Sequence, residues 1–281
     1  MVDSSSTVFG NKFRYQLFTV VKYLVYLLLG LNVYLFLQEE LLTLAHMGGE
    51  AISRSQLVQV FSATIDTAAW VILLLLFELE TSVLDDRRIH GPVRWALHGI
   101  RGVCGIAIVY AFTGYYAELT PLYDVAPFLG NACALVDQSW SVLVNLDDFV
   151  PLDAVSCAAL GDEVYRLQGF SVLTSADSLG AARRLAWVDV INAGVWILVV
   201  VVLEIEVRLQ LRGELSAHIL RLNKYFKSVL YGVLFLAAAY WGVAGDFLDF
   251  WDACLWLFAF IFIELNVFEW QYESRRDAAV A

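Results

Sequence analysis

Asp66–Glu80 reads DTAAWVILLLLFELE, Asn192–Glu206 reads NAGVWILVVVVLEIE and Asp252–Asn266 reads DACLWLFAFIFIELN. All three follow one pattern: a carboxylate or amide, a tryptophan four residues on, a glutamate twelve on, and a polar residue two beyond that. Seven apolar residues separate Trp from Glu in every copy. Apolar runs of this kind, with their flanks, reach the ~20 residues that a helix needs to cross a bilayer. A threefold match that includes Trp points to an internal repeat.

The rest of the chain fits that reading. It has 281 residues, 60% of them hydrophobic and 17% charged, with mean hydropathy +0.67, the composition of a multi-spanning membrane protein rather than a soluble domain. Six segments qualify as spans: 17–37, 57–80, 96–117, 186–207, 225–245 and 253–271. The prolines, Pro92, Pro121, Pro127 and Pro151, fall outside these spans, which predicts helices without proline kinks.

The odd-numbered spans repeat too. Lys22 precedes Glu39, Arg101 precedes Glu118, and Lys227 precedes Asp246. Each separation is about one hydrocarbon thickness at ~1.5 Å per residue. The predicted unit is a helical hairpin, basic residue going out and Glu coming back, copied at about 12–86, 92–212 and 219–275. The expected fold is thus an all-α integral membrane protein, one domain over 1–281, with six transmembrane helices in three pseudo-repeated hairpins.

Basic residues beside a span stay on the cytoplasmic side. Of the 18, only Arg54, Arg166, Arg183 and Arg184 fall on one side of the six-span scheme, which puts both termini inside. More than half of the 29 acids lie toward that same side, the outer one, so the formal net charge of −11 belongs to the outer face. That balance excludes nucleic acid as a partner and favours attraction of cations. The basic start followed by an apolar run reads as an uncleaved signal anchor. The absence of any Asn-x-Ser/Thr acceptor leans toward a bacterial inner membrane.

Residues 118–184 form a long outer insert. It carries Cys133 and Cys157, for which a disulfide is the default expectation on an oxidising face. It also holds a strand-like VYRLQGFSVL, and Asp177 as a candidate cap for the fourth span.

At about 100° per residue, the first, Trp and last polar positions of the repeat share one helix face, while the +12 Glu lies about 120° away. Asp66, Asn192 and Asp252 then form a polar ring on a central path. Glu78, Glu204 and Glu264, followed by Glu80 and Glu206, form a deeper belt with Lys22, Arg101 and Lys227. Charges at such depth face a partner, a cavity or water. The belt is therefore either an ion gate or proton relay, or a set of ion pairs that holds the bundle together. The repeated Trp reads first as packing between helices.

The sequence carries no HExxH, CxxC, phosphate-binding glycine loop or nucleophile elbow, and its four histidines are dispersed. No enzyme activity, cofactor or metal site is expected. The expectation is a channel or transporter for small cations or protons. Its rival is a non-transporting membrane subunit that binds a protein partner, or a second copy of itself, through the insert or the cytoplasmic hairpin.

Overall fold

In a computed structural model, which describes residues 12–46, 60–80, 91–211 and 217–280, the apolar runs are helical. The long helices are α1 (Lys12–His46), α2 (Ser62–Glu78) and α3 (Pro92–Tyr123) before the insert. After it come α5 (Ala176–Leu211), α6 (Ala217–Ala244) and α7 (Phe247–Val280). Four stretches are long and apolar enough to cross a membrane: Gln16–Ala45, Pro92–Tyr123, Ala176–Glu206 and Arg221–Ala244. Large apolar side chains such as Leu27, Val103, Ile106, Phe235 and Leu236 point outward from them. In water that surface would be costly; in lipid it is solvated, so the chain is an integral membrane protein.

The long helices pack in chain order. α1 lies on α2, α2 on α3, α3 on α5, α5 on α6 and α6 on α7, and α7 returns to α1 to close a ring. A core cluster fills the interior, with Leu29 from α1, Leu74 from α2, Val199 from α5, Leu234 from α6 and Ala259 from α7, all nearly or fully buried. On the ring axis the repeated tryptophans meet. Trp70, Trp196 and Trp256 have centroid separations of 6.3, 6.4 and 6.5 Å, with tilted or edge-on rings. These are favourable arrangements for ring quadrupoles.

The insert is not helical throughout, and this corrects the all-α expectation. It contains a five-stranded sheet of β1 (Val125–Pro127), β2 (Ser141–Leu143), β3 (Phe149–Pro151), β4 (Val164–Leu167) and β5 (Val172–Ser175) in the order β1-β4-β5-β2-β3. β2 and β5 pair in parallel and the other neighbours antiparallel. The strand-like VYRLQGFSVL supplies the β4–β5 hairpin, whose turn places Gly169 at φ 80°, a conformation open to glycine without strain.

Side chains alternate across a strand, so adjacent residues reach opposite layers. Leu143 and Val172 pack on Leu119 and Leu122 of α3 and on Leu179 and Ala182 of α5. Val142 and Leu173 pack instead on Leu152, Cys157 and Leu160. That second layer holds α4 (Ala154–Ala159), and the disulfide Cys133–Cys157 closes it. Hence the sheet is a rigid cap anchored on α3 and α5. Arg183 strengthens the anchor, donating from Nε to the Leu122 carbonyl at 2.9 Å and lying over the Tyr123 ring.

Two local expectations change. Pro121 falls inside α3, because that helix outlasts the predicted span and keeps the proline in its last turn. Asp177 does not cap α5; Ser175 does, its Oγ accepting from the Ser178 N–H at 3.1 Å.

Cross-linking across 24 residues restricts the unfolded insert by about 3 kcal/mol. The double variant Cys133→Ser/Cys157→Ser should lose roughly that much stability, read as earlier proteolysis between residues 125 and 175 while the helices stay protected.

Candidate functional site

Above the Trp triangle, toward the cap, the ring opens into a cavity of about 1440 Å³, counting its mouth. Its floor is Trp70, Trp196 and Trp256. Its roof comes from the insert, through Leu143, Leu146, Phe149, Leu167, Phe170 and Val172. Its walls carry Glu39 and Glu40 from α1, Asp66 from α2, Glu118 from α3, Asp189 from α5, Asp249 and Asp252 from α7, and Asp147 from the cap. No Lys, Arg or His lines it among the described residues. Eight carboxyl groups gathered without a base constitute an acidic, aromatic-floored chamber.

Fixed hydrogen bonds aim several of these groups. Glu40 accepts from the backbone N–H groups of Ala63 and Thr64 at 2.8 and 3.2 Å, and from the Thr64 hydroxyl. α2 has no side-chain cap of its own, so α1 supplies one across the helix pair, where the positive end of the helix dipole favours a carboxylate. Ser62 donates to Glu118 at 2.5 Å, and Trp241 Nε1 donates to Asp189 at 3.1 Å. Within the repeat, Trp70 follows Asp66 by four residues on α2, and Trp256 follows Asp252 by four on α7. The four-residue spacing thus places an indole one helical turn below its acid.

At the mouth, carboxylate oxygens of Asp147, Asp246 and Asp249 lie within 4.8 Å of one another, a spacing a hard cation could bridge. Asp147 is exposed at the mouth yet surrounded by protein and acids. Burial, followed by the charges of Glu39, Asp189, Asp246 and Glu40, lifts it well above the usual carboxylate range. Asp246, in the turn between α6 and α7, is raised by burial, partly offset by its hydrogen bonds to Asp249.

The residues singled out from sequence divide into two levels. Asp66, Asn192 and Asp252 come together on the cavity wall. The deeper belt is paired. Lys22 meets Glu78 at 2.6 Å, both nearly buried, and Tyr23 and Tyr26 also donate to Glu78. Arg101 pairs with Glu80, not with the Glu of its own hairpin. Lys227 pairs with Glu206 at 2.7 Å, joined by Asn223. The +14 residue therefore takes the base of the next hairpin, because ring neighbours are the helices adjacent in chain order. Glu204 is exposed on α5, and the side chain of Glu264 lies outside the described residues.

Sequence periodicity missed Asp147 and Asp249, which lie outside the repeated positions, and Glu40. Glu39 and Glu118 were visible as the outer ends of odd spans, but nothing local indicated that they share a chamber.

No family model, curated protein or solved structure matches this chain.

Two measurements probe these arrangements. Removing one partner of a buried ion pair strands the other, so Lys22→Met alone should cost about 3–5 kcal/mol, and Lys22→Met/Glu78→Gln should recover most of it in denaturation of the purified protein. A carboxyl whose folded pKa is raised holds its proton longer when folded, so it stabilises the fold at low pH and loses that contribution as pH climbs past the ordinary carboxylate value. Thermal midpoints should fall as pH rises above about 4. Asp147→Asn should make that fall shallower and raise the midpoint at the alkaline end.

Proposed function

We propose that this chain is a small-cation or proton transporter or channel of a cell membrane, bacterial inner membrane by its composition, with six crossings and both termini cytoplasmic. The observation that carries the reading is the acidic chamber without a basic residue, floored by three indoles on the axis of a closed helix ring. Its carboxylates attract cations by field, and Asp66 and Asp252 receive them at the base. The aromatic floor interacts favourably with a cation through its ring faces and blocks a continuous water column. Below it, the apolar core and the ion-paired belt form the inner seal.

The ring supports six crossings. α2 lies between two spanning helices and, at 17 residues and ~1.5 Å each, is about as long as the hydrocarbon is thick. α7 closes the ring between α6 and α1 and carries the third copy of the repeat. In this scheme the residues of the path are Asp66, Asn192 and Asp252, with Glu78, Glu80, Glu204, Glu206 and Glu264 at the inner seal.

The nearly buried Lys22–Glu78 pair favours a second reading, a membrane subunit whose charges only hold the bundle and whose cap binds a protein. Liposome flux separates the two. Purified protein should pass a monovalent or divalent cation, or protons, down a gradient, and Asp66→Asn and Asp252→Asn should each slow the flux about tenfold or more while remaining folded. No flux of any of these under either gradient direction overturns the transport reading.

A further inference from the structure

We propose that Asp66, Asp252 and the side-chain oxygen of Asn32 form a binding site for a divalent metal cation at the base of the chamber. The proposal deepens the transport reading, resting on it for its physiological role.

Asn32 stands in the middle of the otherwise apolar run of α1 and is fully buried, at 0% exposure. Its Nδ2 donates to Asp252 Oδ1 at 2.7 Å, which fixes the amide against the carboxylate. Its Oδ1 has no donor among the described residues. A buried amide oxygen without a partner is costly, and an apolar residue would fill the same space without that cost. An electrophile beside Asp252 removes the difficulty. No basic side chain lines the chamber to provide one, and none pairs with Asp252 among the described residues.

Asp66 and Asp252 hold equivalent places in the first and third repeats, and both line the chamber. Two carboxylates with a neutral amide oxygen present a charge of −2 and only hard oxygen donors. Calcium accepts such a set, six to eight oxygens in flexible geometry with water completing the shell. Magnesium, smaller and strictly octahedral, fits a preformed wall less well. Asn192, the equivalent position of the second repeat, lines the same chamber and adds a neutral amide where a third carboxylate would leave excess negative charge.

The tryptophans beneath provide the readout. Calcium chloride titrated into the detergent-solubilised full chain should change indole fluorescence saturably, with calorimetry giving one site and magnesium binding more weakly. Asn32→Leu should weaken calcium about tenfold or more, and Asp252→Asn at least as much. Circular dichroism and the size-exclusion profile of the solubilised Asn32→Leu variant should match wild type, which separates loss of the ligand from loss of the fold. Asp153→Asn, which caps α4 in the insert and does not line the chamber, should leave affinity within about threefold. Absence of a saturable calcium response in folded wild type overturns the site, as does a response that Asn32→Leu leaves unchanged or one given by sodium alone. Calcium binding without flux retires the transport reading and keeps the site. Flux without calcium binding retires the site and keeps transport.

Discussion

Three indole rings meet on the axis of the helix ring, carried by α2, α5 and α7, which are not neighbours in it. Their contact divides the interior. On one side the ring is filled with Leu, Val, Ala and Phe; on the other it is lined with carboxylates. Without the tryptophans, the acids would face the apolar core directly, an arrangement whose desolvation cost no local hydrogen bond offsets. With them, each neighbouring acid has an indole one turn below, and the chamber ends on a surface that tolerates positive charge.

The two levels of charge follow different physics. In the belt, opposite charges lie within salt-bridge distance and are held by tyrosine or asparagine, so each ion pair is a structural tie between adjacent helices. In the chamber, like charges accumulate, and helix termini, serine and indole N–H groups satisfy only some of their lone pairs. Like charges gathered with so few partners favour a compensating cation. The cap makes the accumulation sharper by covering the chamber with an apolar roof and contributing Asp147 to its rim.

Helical runs, the equivalence of Asp66, Asn192 and Asp252, the outer cysteine pair and the β4–β5 hairpin could all be read from residue types and spacing. Each depends on local periodicity or composition, which a linear chain displays directly. The sheet as a whole was not legible. β2 is three residues long, joins β5 in parallel across 31 positions, and has no signature of its own at that length. Its partners are selected by the layer it must bury.

What the sequence determined by itself is the membrane character of the chain and the shared spacing within its three Trp-bearing segments, because these are sums and periods over residues. What only the tertiary structure decided is which charges meet. Lys227 takes Glu206 and Arg101 takes Glu80 because ring closure sets the neighbours; Asn32 reaches Asp252 across 220 residues because α7 returns to α1. Such pairings depend on the rotation and register of one helix against another, fixed by side-chain packing between distant segments and by no spacing within any one of them.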